Sequence, residues 1–306
     1  MPYYLGIDGG GTKTTCAVGD ESRLLATAVA GPSNIVRVGE ARTRESLEQA
    51  VHQACAAAGI APGEIVRACI GAAGAAHPDL AAKVRQILAA ILPPPIVVVG
   101  DMQIAWEAAF DAGPGIIVNA GTGSFAYGRD AQGNAFRAGG WGFAIGDEGS
   151  AHWIGREAVS AVLRESDRHA ANSQNSMLAG ALLKTWKVTS LADLARAANA
   201  VPPPNFAALF PAVVASNDDL AAQVLTRAGR ELAHIAAVVL ARLFTAPETR
   251  TVPVAMIGGV FRHAPVVRQV FYNELRALDP RAEVNPEVVE PVEGALRLAR
   301  KAAGNL

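Results

Sequence analysis

The chain contains two stretches in which an apolar strand pattern runs directly into a turn rich in glycine and threonine. The first is residues 6–14 (GIDGGGTKT) and the second is residues 115–124 (GIIVNAGTGS). Further short strand patterns follow each turn, separated by polar turns at residues 20–23 and 130–133. Each stretch therefore predicts a three-stranded antiparallel meander, and the repetition predicts a duplicated architecture.

The chemistry of these turns suits a metal-bound triphosphate. Glycines let the backbone approach an anion closely and aim its N–H groups at it. Asp8 can hold a Mg2+ ion, through water, and Thr12 can donate a hydrogen bond to a phosphate oxygen. A glycine-rich hairpin without a ligand would explain one such turn equally well. The second copy favours the phosphate interpretation.

Length, charge and cysteine content limit the class of protein. A chain of 306 residues, 51% of them hydrophobic, predicts about two domains. Lys+Arg 27 against Asp+Glu 28 predicts a small-molecule partner, with no nucleic acid and no membrane surface. Cys16, Cys55 and Cys69 lack metal spacing, so we expect buried reduced thiols. With no signal peptide or membrane span predicted, a cytoplasmic location is expected.

Strand and helix patterns alternate in the first half, which predicts a mixed sheet flanked by helices. Longer helical periodicities dominate the second half. The sequence Gly113-Pro114-Gly115 precedes the second meander, so the domain boundary is expected near residues 112–115. The predicted helices cover 42–58, 78–92, 102–112, 151–164, 218–244 and 264–278, and the predicted strands beyond the meanders cover 65–70, 96–99 and 252–257.

Four segments in order resemble the motifs of sugar kinases in the actin, hexokinase and heat-shock ATPase superfamily. Residues 8–14 and 121–124 resemble its two phosphate motifs, and residues 257–260 (IGGV) resemble its adenosine motif. Residues 139–142 (GGWG) with 146–150 (GDEGS) are similar to the N-acetylglucosamine kinase branch and its BadF-BadG-BcrA ATPase-like family. The resemblance implies an α/β fold of two actin-like (ribonuclease H-like) domains, with mixed sheets flanked by helices, a ligand cleft between them, and ATP with Mg2+ as cofactors.

The same resemblance implies the domain organisation. Residues 1–113 would form an N-terminal domain on the sugar and phosphate side, and residues 114–292 a C-terminal domain on the nucleotide side. A last helix at 293–303 would pack back on the first domain, with the small residues Gly294 and Ala295 at the crossing. Related kinases are often dimers, so a homodimer is expected.

Asp101 is the candidate general base. It follows the strand pattern at 96–99 and Gly100, at the carboxyl end of a strand, where such sheets bind ligands. Asp is also favoured as a helix cap, which would explain its place before residues 102–112 without catalysis. By resemblance it accepts the proton of the attacking sugar hydroxyl, a role that is compatible with capping.

The remaining site residues are implied by the resemblance. Plain alternatives exist for some of them: a turn for Asn34, a helix N-terminal charge for Asp147, ordinary core for Trp141 and a solvated side chain for Lys13. None of the six histidines is assigned a role. The predicted sugar-binding residues are Asn34, Asp101, Gly140, Trp141, Gly142 and Asp147. The predicted nucleotide-binding residues are Asp8 (with the metal), Gly10, Gly11, Thr12, Lys13, Thr122, Gly123, Ser124, Ala207, Gly258 and Gly259.

The resemblance implies a phosphotransferase with an alcohol acceptor, an amino-sugar kinase that phosphorylates N-acetylglucosamine at its 6-hydroxyl. Glucosamine is the alternative substrate. An ATPase that activates a dehydratase or reductase would hold an iron–sulfur cluster by cysteines, and the three present match no such motif. A sugar-responsive repressor would need a helix-turn-helix ahead of the first strand. No Gly-x-x-x-x-Gly-Lys-Ser/Thr sequence occurs, which excludes a P-loop enzyme.

Overall fold

The computed structural model describes residues 1–72, 74–75, 77–93, 95–168, 176–245 and 251–301. The chain divides into two compact units, Met1–Gly113 with Val289–Leu306, and Pro114–Val288. Each unit contains a five-stranded mixed sheet with helices packed on it. The prediction of an α/β fold with two mixed sheets flanked by helices is confirmed.

The first unit is a meander continued by two parallel strands. Its sheet has the order β3-β2-β1-β4-β5, in which β1, β2 and β3 are antiparallel neighbours and β4 and β5 run parallel to β1. Both β1 and β2 are largely buried, because helices cover the two faces of the sheet. The elements are β1 Tyr3–Gly9, β2 Thr14–Gly19, β3 Leu24–Ala30, α1 Ile35–Ala58, β4 Ile65–Ala72, α2 Pro78–Ala89, β5 Ile96–Gly100 and α3 Asp101–Phe110.

Two helices of this unit differ from their predicted bounds for local reasons. Helix α1 begins at Ile35, because the Asn34 side chain caps it, and Gly39 with φ 77° interrupts it. The predicted start at residue 42 was therefore wrong. Helix α3 begins at Asp101 and ends at Phe110, where Asp111 adopts a left-handed conformation, so its predicted bounds of 102–112 were wrong at both ends.

The second unit repeats the strand arrangement and adds more helices. Its order is β10-β9-β6-β7-β8, with β6, β7 and β8 antiparallel and β9 and β10 parallel to β6. The long helix α8 lies across β6, β7 and β8. The elements are β6 Gly115–Ala120, β7 Ser124–Arg129, β8 Ala135–Gly139, α4 Ala151–Arg168, α5 Met177–Trp186, α6 Leu191–Ala198, α7 Phe210–Ala215, α8 Asp219–Leu243, β9 Val252–Ile257, α9 Gly259–His263, α10 Pro265–Leu278 and β10 Ala282–Val288.

The last helix, α11 (Pro291–Arg300), belongs to the first unit and packs on α3 and β1. Gly294 lies against α3 so closely that a Cβ there would collide with the Ile104 carbonyl oxygen, and Ala295 is fully buried. Arg297 donates to the carbonyl oxygens of Glu107 and Ala108 at 3.2 Å each. The helix starts two residues before the predicted 293, and residues 302 and 303 of that prediction lie outside the described residues.

The three cysteines are free and buried, as predicted. Burial raises the pKa of Cys55 to about 11 and that of Cys69 to about 12, and it raises the pKa of Cys16 further still. Their thiols are therefore protonated and inert at neutral pH. Across the described ranges, none of the helices combines the length and the apolar character that crossing a membrane would require.

Candidate functional site

In the first unit, the carboxyl ends of the three parallel strands meet at one edge of the sheet. Gly9 of β1 lies opposite Ala72 of β4, which lies opposite Gly100 of β5. Asp8 is the residue before Gly9, and Asp101 follows Gly100 directly. Neighbouring strands are about 4.8 Å apart, so β1 and β5 are separated by about 10 Å at this edge. The two predicted carboxylates thus share an edge, at a spacing that a small ligand could span.

The glycine turn between β1 and β2 is closed on itself and tied to the loop before α1. Gly10 N donates to Lys13 O at 3.1 Å, and a Cβ on Gly10 would stand 2.9 Å from that same oxygen. Ser33 N and Asn34 N both donate to Gly10 O, at 3.1 and 3.2 Å. These contacts hold Gly10, Gly11, Thr12 and Lys13 beside Asn34.

Asn34 has a structural role, because it is the N-cap of α1 and its side chain bonds the backbone two residues on. Its Oδ1 accepts hydrogen bonds from Val36 N at 3.1 Å and Arg37 N at 3.3 Å. Because Oδ1 is held by the helix, the Nδ2 amide points away from it. Within the described ranges Nδ2 donates no hydrogen bond, and Asn34 is only partly buried. Two donors in a fixed position are thus available to a ligand.

Asp101 is exposed and lies in the first turn of α3. Gly100 is the N-cap, so Asp101 is the first helical residue and not the cap. Its Oδ1 accepts a hydrogen bond from Met102 N at 2.9 Å, which fixes the carboxylate. The other oxygen, Oδ2, accepts no hydrogen bond from the described part of the chain. One oxygen therefore holds the group in place while the other can accept a proton.

In the second unit, the turn after β6 is tied to the segment before α4. The Ser124 hydroxyl donates to Glu148 O at 2.6 Å, and Ala151 N donates to Gly121 O at 2.9 Å. A Cβ on Gly123 would lie 2.9 Å from Oδ2 of Asp147. The structure thus brings Thr122, Gly123 and Ser124 together with the Asp147 carboxylate.

Asp147 adopts a backbone conformation that non-glycine residues seldom hold, with φ 60°. Such conformations persist where the surroundings impose them, and they cluster at ligand sites. Here Ser150 N donates to Asp147 O at 3.1 Å, which stabilises the bend ahead of α4. This conformation brings the Asp147 carboxylate beside Gly123, and its role in binding stays a prediction.

Gly258 and Gly259 lie beside the same turn of the second unit. Strand β9 pairs with β6 so that Ile257 is opposite Asn119. Gly258 has φ 103°, and a Cβ there would collide with the Ala120 carbonyl group. Only glycine suits this position, because the backbone of the turn after β6 occupies the space that a side chain would need. Ala207 lies in a 3₁₀ turn at Phe206–Leu209 that packs on α4.

The loop after β8 presents apolar side chains to solvent. Gly140 and Gly142 have φ of 72° and 96°, and Trp141 between them is 77% exposed. The core alternative for Trp141 was therefore wrong. Phe143 and Ile145, which the sequence pattern does not distinguish from core residues, are 50% and 81% exposed. Adjacent exposed apolar residues on a glycine-rich loop are suited to the apolar face of a ligand.

His152 is a further residue that sequence reasoning missed, since its spacing matches no triad or metal site. Its ring lies 5.1 Å from that of Phe143 and 5.2 Å from that of Phe206, and its backbone N donates to Thr122 O at 3.4 Å. Burial lowers the pKa of His152, Arg156 lowers it further, and Asp147 acts in the opposite direction. The neutral ring thus joins the exposed loop to the glycine turn.

Both sheets have the strand order and directions of the actin-like fold, in which an antiparallel meander is extended by two parallel strands. The glycine turns lie at the carboxyl edges of both sheets. The chain belongs to the BadF/BadG/BcrA/BcrD ATPase family, whose model matches residues 5–299.

Three relatives are similar over nearly the whole chain. The N-acetylmuramic acid/N-acetylglucosamine kinase of Clostridium acetobutylicum is 29% identical, covering 98% of this chain and 99% of the relative. The N-acetyl-D-glucosamine kinase of Dictyostelium discoideum is 24% identical, covering 97% of each. A crystal structure from Chromobacterium violaceum, provisionally assigned as an N-acetylglucosamine kinase, has a TM-score of 0.71 and 26% identity, covering 98% of this chain and 99% of its own.

Proposed function

We propose that this protein is an ATP-dependent amino-sugar kinase that phosphorylates N-acetylglucosamine at its 6-hydroxyl. The observation that carries the proposal is the fixed Asp101 carboxylate, whose Oδ2 is open at the edge of the sheet that also bears the Asp8 turn. The relatives named as kinases of acetylated amino sugars support the acceptor class.

Asp101 acts as general base. A sugar hydroxyl is a poor nucleophile at neutral pH, so a carboxylate that accepts its proton both orients and activates it. Oδ1 keeps its hydrogen bond to Met102 N while Oδ2 takes the proton. The bond from the γ-phosphorus to the leaving oxygen breaks as the bond to the sugar oxygen forms.

Each unit carries groups that we propose for sugar recognition. Asn34 donates from Nδ2, because its Oδ1 is occupied by the cap of α1. Asp147 accepts from sugar hydroxyls, and the exposed Trp141 ring lies on an apolar face of the sugar, with Gly140 and Gly142 allowing close backbone approach. A polar site of this kind rejects sugars that lack the matching hydroxyl, since its own groups would be left unpaired.

The nucleotide is held by backbone. Gly11 and Gly123 bring N–H groups to the phosphates, and Thr12, Lys13 and Thr122 add polar side chains. Gly10, whose N–H donates to Lys13 O, and Ser124, whose hydroxyl donates to Glu148 O, hold the two turns in shape. Gly258 and Gly259 are proposed on the adenosine side, because Gly258 packs against the turn after β6. Ala207 is proposed on the adenine side. Asp8 would hold Mg2+, which neutralises the phosphate charge when bound.

We propose accordingly that residues 1–113 with the last helix form the sugar and phosphate domain, and residues 114–288 the nucleotide domain. We also propose that the enzyme is cytoplasmic, that it acts as a homodimer and that it has no nucleic-acid or membrane partner. Size-exclusion chromatography with light scattering tests the dimer.

The experiment is a coupled ADP-release assay with N-acetylglucosamine, glucosamine, N-acetylmuramic acid and glucose, with magnetic resonance to locate the phosphate. We expect N-acetylglucosamine to give the highest kcat/KM, a 6-phosphate product, and loss of activity when Mg2+ is chelated. A higher kcat/KM for glucosamine would show that the substrate is the free amine and not the acetylated sugar. ATP hydrolysis at the same rate without any sugar would refute a kinase and favour an ATPase activator.

A further inference from the structure

The side chain of Arg37 lies over the glycine turn of the first unit. Its Nη1 is 3.3 Å, and its Cδ 3.6 Å, from the position that a Cβ on Gly11 would occupy. The arginine therefore covers Gly11 along its length, with the guanidinium at the turn. Because Gly11 has no side chain, the cation reaches the backbone that the proposed function assigns to phosphate binding.

The backbone of Arg37 is held in register with this turn. Arg37 N donates to Asn34 O at 2.9 Å and to Asn34 Oδ1 at 3.3 Å, while Asn34 N donates to Gly10 O at 3.2 Å. Gly39, with φ 77°, interrupts the helix two residues later. The first turn of α1 is thus positioned by the glycine turn and Asn34, independently of the rest of the helix.

The surroundings of the Arg37 charge distinguish it from the next arginines of its helix. Arg37 is exposed, and it forms no ion pair within the described ranges. The next two arginines of α1 differ, since Arg42 pairs with Glu45 at 2.6 Å and Arg44 with Glu40 at 3.4 Å. An arginine offers several N–H donors in a planar fork that matches phosphate oxygens. A guanidinium without a carboxylate, placed at a glycine turn, is suited to an anionic ligand.

We propose that Arg37 binds the phosphoryl group that is transferred, first as the terminal phosphate of the nucleotide and then as the phosphate of the sugar product. The inference rests on the proposed function. Arg37 makes no covalent bond and takes no proton: the hydroxyl proton goes to Asp101, and the electron pair of the broken P–O bond stays with the leaving diphosphate. Its side chain lies over Gly11 and its backbone N is bonded to Asn34, which places it where phosphate and sugar would adjoin.

Arg37→Gln tests this assignment, with Arg37→Lys and Arg44→Gln as companions. We expect Arg37→Gln to lower kcat by about 100-fold, the usual effect of losing one donor to transition-state charge, with the sugar KM changed less than about threefold. Arg37→Lys should retain part of the activity, because it keeps the charge without the fork. Arg44→Gln removes an arginine from the same helix and should behave as wild type.

A second readout does not depend on turnover. Calorimetry should show that Arg37→Gln binds N-acetylglucosamine 6-phosphate at least about tenfold more weakly, or about 1.4 kcal/mol, while N-acetylglucosamine itself binds as to wild type. Thermal melting of each variant checks that the fold is intact.

The outcomes separate this inference from the proposed function. Wild-type kinase activity together with an unaffected Arg37→Gln would overturn the role of Arg37 alone. Loss of N-acetylmuramic acid use with unchanged N-acetylglucosamine kinetics would assign Arg37 to the sugar carboxylate and also overturn it. A wild-type protein that phosphorylates no sugar would refute the proposed function itself.

Discussion

Replacing Asp101 by Asn separates the proton-accepting role of this residue from its structural one. The hydrogen bond from Met102 N to Oδ1, at 2.9 Å, can form equally with the amide oxygen of Asn. The Oδ2 that is open in the native protein becomes an NH2 group, which cannot take a proton. The variant should therefore keep the geometry of the first turn of α3 and lose the base.

The expected loss in kcat is about 100-fold or more, which corresponds to about 2.7 kcal/mol in the activation barrier. The free energy of unfolding should fall by less than about 1 kcal/mol, since only a favourable first-turn charge is lost. The coupled ADP-release assay measures the first quantity and urea unfolding the second.

Asp79→Asn is the matched control for this experiment. Asp79 also lies in the first turn of a helix, α2, but it does not follow a strand of the sheet directly. It should lose similar stability and no activity. Near-normal turnover of Asp101→Asn would refute the general-base assignment, and an equal loss in both variants would mean that helix charge, and not proton transfer, was measured.

Three further predictions follow from the same structure. Asp8→Ala should raise the KM for Mg-ATP at least about tenfold while N-acetylglucosamine still binds by calorimetry; lost sugar binding with normal Mg-ATP use would reverse the assignment. Gly258→Ala should abolish nucleotide-induced thermal stabilisation and should lower the free energy of unfolding by about 1–3 kcal/mol, since its Cβ meets the Ala120 carbonyl. The control is Gly59→Ala, at φ 72° in open space, which should leave nucleotide binding normal. Because the pKa of His152 is lowered in the folded state, its stabilising effect is present above its unfolded pKa of about 6.5 and is lost as pH falls below that value. The free energy of unfolding, measured in urea, should therefore decline less from about pH 7.5 to 5.5 in His152→Phe than in the native protein. Identical declines in the two proteins would contradict this.

Both meanders could be predicted because their signals are local. Alternation between apolar runs and polar turns specifies antiparallel neighbours a few residues apart, and β1–β3 and β6–β8 formed as the sequence indicated. The buried state of the cysteines and the strand that precedes Asp101 followed from the same kind of pattern. The functional roles came from resemblance, and they stay predictions.

Other features depended on contacts between distant parts of the chain. Trp141 is exposed because glycines with positive φ on both sides turn the loop away from the core, and no hydrophobicity pattern distinguishes this from burial. Strand β10 was not predicted, since its outward side chains are largely polar and its register comes from pairing with β9. His152 acquired its partners Phe143 and Phe206 only through packing.

The sequence by itself determined the strands and the turns on which the predicted site residues stand, because turn conformation and strand alternation depend on near neighbours. Only the tertiary structure decided which of these turns share an edge. Gly258 lies against Ala120 because β9 pairs with β6, which is far away in the sequence. Arg37 lies over Gly11 because the Asn34 cap fixes the start of α1 beside a turn from which the meander separates it. The physical reason is that such pairings depend on burying the faces of a whole sheet, a free energy that no short stretch of sequence contains.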